Sequence, residues 1–433
     1  MYYKLMGNAS YAYFHIPKGT NLAGYSDRPT GCLGTHDMLA TKSLTITNGD
    51  ETIVIITNDL LSVDKEMVQG VVENINERYS IPEKNIFICA SHTHSGPEIT
   101  GFEIYDYDKK IDENHKKLKK EIINIISQNA LKSLDNLVPI KIGFGKGQCD
   151  EIACNRIDKN FKVDKNVYIL KILKTSGDIL ALIINYSCHP TVMGSNNLYV
   201  TADFAGVVQN LIEKHYKNNC IAMFTNGACG DQSTRYTRKE QSFKEVKRLG
   251  NILYKSVVNI ADAINKYEDT ISMECIKTTY EFPMKDLPNY NEALTRYREA
   301  KLLKEQALNN NVSSAEIRKA ITRYQGASIT LKLIDLFKKE NKIIDFIHII
   351  KINKIVFVGL PIELFSEYGF KIKSLSKYEN TIIVDYTNNL LGYVYTPDSY
   401  KDGDYEAWSS PFRIDTGEII VTDVLKLINN LED

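Results

Sequence analysis

The sequence predicts an α/β fold. Three observations carry that prediction. Apolar, β-branched runs at 52–57 and 85–90 read as buried strands, and residues 64–79 between them carry apolar positions at helical spacing. The same order returns further along, where apolar runs at 181–188 and 220–225 flank a helical pattern over 204–217. Polar residues able to do chemistry stand where these strands stop, at Asn58-Asp59, at Ser91-His92-Thr93-His94 and at His189. Ligands in open α/β sheets gather at such carboxyl ends.

Composition narrows the class. A chain of 433 residues holds two or three average domains or one large α/β domain. Hydrophobic residues make up 43% and charged ones 25%, which fits a globular protein with a full core. The formal net charge is −1 and no basic block occurs, so nucleic acid is excluded as the expected partner. No apolar run approaches the roughly 20 residues that cross a bilayer. The start, Met1 to Tyr13, lacks a charged segment followed by an apolar one, so no secretory signal is expected. The eight cysteines include no CxxC pair, and Cys89, Cys188 and Cys220 fall in or beside predicted strands. Reduced core thiols in a cytoplasmic protein are the expectation.

Taken in order, residues 14–37 come first. They are turn-rich (Pro17, Gly19, Gly24, Pro29, Gly31, Gly34) and are expected to wrap an edge rather than cover a site. Asp59 could support a site or cap the helix that follows. The run 85–90 then leads into Ser91-His92-Thr93-His94-Ser95-Gly96-Pro97, on which the rest of the reading turns. Gly96-Pro97 forces a turn. If the backbone stays extended, His92 and His94 point to the same side. Such a pair suits a metal site or an acid–base site, although two histidines on a surface turn would look the same. A helix over 111–134 turns Ile122, Ile123, Ile125 and Ile126 inward and leaves Lys116, Lys117, Lys119 and Lys120 solvated.

Strands over 138–145 and 167–173 flank a polar turn, Ala153-Cys154-Asn155-Arg156. An arginine there can bind an anion, though most surface arginines do not. The strand 181–188 runs into His189-Pro190, and Asp203 suits the N-cap of the helix 204–217. The strand 220–225 leads to a loop with Gly227, Gly230 and Ser233. Ser233 is a candidate nucleophile or oxyanion donor, or simply a turn residue; the GxSxG elbow is absent. Residues 242–267 and 288–340 are helical, the second block reading as a hairpin inserted over 285–342, either a lid or an oligomer surface. After strands at 346–352 and 354–359, Glu363 sits among apolar neighbours and needs a positive partner. A strand at 381–386 precedes Tyr393, Tyr400 and Tyr405, which serve as packing or as ligands.

Read together, HTHSGP, the CHPT strand end, TADFAG, NGACGDQS, PIE and GYVYT followed by YE occur in one order. That series, from about residue 5 to about residue 410, resembles the neutral/alkaline, non-lysosomal ceramidase family. The resemblance implies one domain over 1–433 with a mixed β-sheet core and flanking helices. It implies a catalytic Zn2+ held by His92, His189, Glu363 and Tyr393. It implies that His94, Arg156, Ser233 and Tyr405 act on the substrate: His94 and Arg156 at the carbonyl, Tyr405 as a further active-site tyrosine. It implies hydrolysis of an N-acyl amide by zinc-activated water. Larger members carry a secretion signal and a C-terminal β-sandwich domain, and a short member without either is expected here. The serine loop lacks the usual Pro-Asn, His189 is followed by Pro190 rather than Ala, and the 288–340 helices are an addition. These departures leave the metal set intact and open the substrate: ceramide, or a smaller N-acyl compound. An acyltransferase running the reverse reaction and a non-catalytic binding protein remain the alternatives.

Overall fold

The computed structural model describes residues 5–100, 112–217, 219–310, 312–336, 342–402 and 405–432. Two sheets lie at its centre. The larger has eight strands in the order Ile221–Asn226, Ile179–Tyr186, Asn166–Lys174, Val138–Gln148, Met6–Tyr13, Ala40–Thr47, Thr52–Asn58 and Ile86–Ala90. Its two end pairs are parallel and its other neighbours antiparallel, so the sheet is mixed. The smaller orders Met273–Phe282, Ile343–Ile352, Ile355–Gly359 and Asn380–Val384, with only the last pair parallel.

The sheets pack on each other, and helices cover their outer faces. Alternation along single strands decides which side chain goes where. Ile53 and Ile55 join Ile350, Ile352 and Phe357 between the sheets. Val54 and Ile56 turn outward onto helices Lys65–Asn76 and Glu113–Leu134. Ile169, Leu182 and Ile184 meet helices Asp203–His215 and Phe243–Ala263. On the smaller sheet, Ile347, Val356 and Val358 meet helices Ser366–Leu375 and Thr416–Asn429. Strands buried on both faces must be apolar at every position, which is why they read as unbroken apolar runs.

Several local expectations are corrected. Helix Lys65–Asn76 is capped by Asp64, whose carboxylate accepts from the Met67 amide, and not by Asp59. Asp59 instead accepts from the Ala40 amide and the Gln209 amide group. Asp203 is not an N-cap: it begins the helix in a left-handed conformation and accepts from the amides of Met193 and Phe204. Lys119 is buried rather than solvated, and is paired with Asp64 and Glu66.

The helical hairpin is Tyr290–Asn309 and Ser314–Leu336; residues 337–340 of the predicted helical block and residue 111 of the helix before it lie outside the described residues. The strands on either side of it pair with each other up to Phe282 and Ile343. Its second helix packs on the short helix Tyr405–Ser409, and Gln325 donates a hydrogen bond to Ser26 in the 14–37 loop. Among the described residues no helix is long and apolar enough to cross a membrane. All eight cysteines are buried and unpaired.

Candidate metal centre

Three parallel strand pairs end at one place, and the loops that follow them deliver the candidate residues. Ile86–Ala90 leads to His92, Ile179–Tyr186 to His189, and Ile355–Gly359 to Glu363. Asn226, closing Ile221–Asn226, stitches these loops together. Its side-chain amide donates to the carbonyls of Ser91 and Cys188 at 3.2 and 3.1 Å, and its oxygen accepts from the Cys188 amide at 3.0 Å. Its own carbonyl accepts from the Asp385 amide.

The histidine pair does not converge by strand alternation. The strand stops at Ala90, and His92 takes a left-handed backbone, φ 69°. A turn, not an extended chain, brings the two rings together, with Nε2 of His94 3.1 Å from Nε2 of His92. Glu363 and Tyr393 are neighbours for a different reason. They face each other in a two-residue parallel ribbon, which puts their side chains side by side.

The hydrogens on these groups follow from their partners. Nδ1 of His92 lies 2.9 Å from the Leu61 carbonyl. Nδ1 of His189 lies 2.8 Å from the Cys229 carbonyl and 3.1 Å from that of Gln232. Carbonyls only accept, so both rings carry their hydrogen on Nδ1 and present a bare Nε2 lone pair. Those lone pairs meet an oxygen that also only accepts when ionised. Oε2 of Glu363 stands 3.0 Å from Nε2 of His189 and 3.5 Å from Nε2 of His92. Three acceptors facing one another in a buried site form a set that can hold a cation between them. The ligand atoms of His92, His94 and His189 lie within 4.8 Å of one another, close enough to share one ion. His94 thus joins the geometric cluster, whereas the family resemblance gave it a role at the substrate. Its Nε2 is 3.1 Å from that of His92, and its buried Nδ1 has no hydrogen-bond partner.

Burial governs the electrostatics. It pushes His92 down to about 3, against the pull of the Glu363 carboxylate, and His94 and His189 well below the usual range. It pushes Glu363 up, with His92 and Arg156 opposing. Neutral imidazoles beside a carboxylate are a donor set suited to a divalent metal.

Around this set lie the other expected residues. The Tyr393 hydroxyl hydrogen-bonds Glu363 and accepts from Arg156. Arg156 is part of the site and not a surface turn: Cys154–Asn155 forms a short strand against Gln232–Ser233, and the guanidinium donates to the Gly230 carbonyl at 2.7 Å. Its Nε is 2.9 Å from Glu406, an ion pair by distance although not aligned as a hydrogen bond. Tyr405 stands edge-on to Tyr393 with ring centroids 6.0 Å apart, and burial raises its phenol so that it keeps its proton. Ser233 is buried beside the His189 backbone, and its hydroxyl accepts from the Arg235 amide at 3.2 Å. A cleft of 620 Å3 opens against Asn155, Asp231 and Ser366, but none of the three histidines lines it.

Sequence reasoning missed three neighbours. The 14–37 loop walls the site rather than wrapping an edge: Tyr25 packs on His94 with ring centroids 5.0 Å apart. Gly24 lies so close that a Cβ there would stand 2.4 Å from Nδ1 of His94. Tyr386 stacks on His92, and the signal that could have found it is its place at a strand end, the same place the histidines hold.

A family model described as neutral/alkaline non-lysosomal ceramidase, N-terminal, matches residues 16–246, more than half of the chain. Over 239 residues the chain is 26% identical to neutral ceramidase B of Dictyostelium discoideum, which covers 49% of this chain and 33% of that protein. Over 245 residues it is 21% identical to neutral ceramidase 2 of Arabidopsis thaliana, covering 50% of this chain and 31% of that one. The match therefore spans about a third of these relatives' own length. Among solved structures, the neutral ceramidase from Pseudomonas aeruginosa shares the fold, with a TM-score of 0.75 over 99% of this chain and 75% of that chain at 16% identity.

Proposed function

The chain belongs to the neutral/alkaline non-lysosomal ceramidase family, and from that premise we propose that it is a zinc-dependent amide hydrolase that cleaves an N-acyl bond. One observation carries the reading: His92 and His189, their hydrogens held on Nδ1 by backbone carbonyls, both turn a bare Nε2 toward the Glu363 carboxyl group. His92, His189, Glu363 and Tyr393 would hold the ion, with His94 in the same cluster. Zinc in such a set acts as a Lewis acid that makes a water nucleophilic near neutral pH.

The remaining residues act on the amide. Arg156, buried beside Tyr393, stabilises the negative charge that develops on the carbonyl oxygen during attack. Tyr405 keeps its phenolic proton and protonates the leaving amine, with His94 as the other candidate beside the site. Ser233 holds substrate or water by a hydrogen bond. It is not a covalent nucleophile, since among the described contacts no histidine takes its proton.

The substrate is an N-acyl amine, either ceramide-like or smaller. The inserted hairpin favours the smaller one: its second helix reaches both the loop beside Tyr25 and the helix that begins at Tyr405, so it roofs the site from two sides. We also propose that the chain forms one domain over 1–433 and works in the cytoplasm. The test is mass spectrometry of products after incubation with N-acyl amines, from ceramides to short acyl amino compounds, alongside metal analysis. Release of a free acid and amine that depends on one zinc per chain supports the reading. Full activity in zinc-free protein rejects it.

A further inference from the structure

Among the described residues, Tyr386 is the one aromatic residue that touches both a histidine and the carboxylate of the candidate centre while belonging to neither expected set. Its ring lies parallel to His92, with centroids 3.8 Å apart and planes 11° apart. Its hydroxyl is 3.4 Å from Oε2 of Glu363, the oxygen that faces His189, and 3.2 Å from Sγ of Cys229. An ionised carboxylate accepts far better than a thiol. The Tyr386 hydroxyl therefore donates to Glu363, and the Cys229 thiol donates to the Tyr386 oxygen. The residue is fully buried and tied at both backbone atoms: its amide donates to Ile362 and its carbonyl accepts from Ala90.

A buried tyrosine is more often core filling than anything else. Two facts oppose that here. Both members of the stacked pair hold left-handed backbone, φ 57° at Tyr386 and 69° at His92. Each such conformation costs about 1–2 kcal/mol for a residue with a side chain. Packing alone gives no reason to hold two of them against each other; strain kept at one spot by the surrounding structure is a mark of function. The backbone ties also run to both ligand-bearing loops, since Ala90 precedes His92 and Ile362 precedes Glu363.

We propose that Tyr386 is a positioning residue for the bound cation: its ring fixes the plane of His92, and its hydroxyl aims Oε2 of Glu363 at the same point. The proposal rests on the metal reading above. It makes the pair of contacts separable, because Tyr386→Phe keeps the stack and removes the hydroxyl, whereas Tyr386→Leu removes both.

The test measures zinc affinity by competition with a chromogenic chelator, and the visible spectrum of the cobalt-substituted protein. Partners that orient metal ligands typically contribute 10–100-fold in affinity. Y386F should weaken zinc binding by roughly 10-fold and shift the cobalt bands, and Y386L by roughly 100-fold. Melting of the metal-free Y386F protein reports folding separately, and if Y386L does not fold, Y386F alone decides. A Y386F protein with the wild-type zinc affinity and an unchanged cobalt spectrum overturns the proposal and leaves the metal reading standing. A wild-type protein that binds neither ion overturns both.

Discussion

His189 and Glu363 face each other 3.0 Å apart, nitrogen to oxygen, across a gap that His189 cannot bridge with a hydrogen of its own. The His189 hydrogen is committed to the Cys229 and Gln232 carbonyls on the other side of the ring. Adding zinc should therefore raise the melting temperature of chelator-treated protein. At a thousandfold excess over Kd the gain is about 4 kcal/mol. His92→Ala and His189→Ala should lose that zinc-dependent shift and all turnover. Calorimetry with and without zinc checks it, and a zinc-independent melting curve for the wild type would falsify the assignment.

Arg156→Lys should leave metal content intact and lower kcat about 10²–10³-fold, the usual effect of losing one oxyanion donor. Lysine keeps the charge but cannot serve Gly230, Tyr393 and Glu406 together as the planar guanidinium does. Steady-state kinetics on zinc-loaded protein reads the change. An unaltered kcat removes Arg156 from the reaction.

How much of this could be read in advance depends on the range of the forces involved. His92, His189 and Glu363 were legible because each follows an apolar run, and the end of a strand is a local signal. The strands were legible from the same signal and the inserted hairpin from its helical patterning, whereas the mixed sheet was expected from the family resemblance. Tyr386 was not, because its importance comes from stacking on a residue 294 positions earlier in the chain, where one sheet meets the other. The 14–37 loop was misjudged likewise: glycines mark a turn, but not the ring of His94 that the turn must admit. Lys119 looked solvated because its partners, Asp64 and Glu66, lie on another helix.

Asn226→Ala should destabilise the fold by about 3 kcal/mol, since it strands buried groups that cost about 1–3 kcal/mol each when unpaired. The groups are the Ser91 and Cys188 carbonyls and the Cys188 amide. Because those loops carry His92 and His189, zinc affinity should fall as well. Urea unfolding and chelator competition measure the two effects, and a loss of neither refutes the role given to Asn226.

Gly24→Ala should reduce activity far more than stability. The position has φ +91°, and the added carbon would press on His94. The backbone strain is about 1–2 kcal/mol, while a displaced His94 loses the position from which it is proposed to act. A variant with wild-type kcat would show that the loop yields instead.

Acid sensitivity should trace in part to Asp164. Burial alone would raise its carboxyl, but Lys373 at 2.5 Å overrides that and holds it below its usual value. A depressed folded pKa stabilises above the unfolded value of about 4 and is lost as pH falls through the folded one. Lys373, which burial would lower and Asp164 raises, contributes at neutral pH and is lost only in strong alkali. Asp164→Asn should cost about 3–5 kcal/mol at pH 7 by leaving a buried charge unpaired. The gap between the two proteins should narrow below about pH 4. Melting temperatures across pH 3–8 report it, and a pH-independent gap excludes this pair as the cause.

The ladder between Met273–Phe282 and Ile343–Ile352 closes on itself at Phe282 and Ile343, so everything between those two residues hangs from a finished β-hairpin. A short turn could replace the two helices without breaking one rung. That makes the segment an exchangeable cassette: its length and sequence can change without disturbing the pairing of the two strands that carry it.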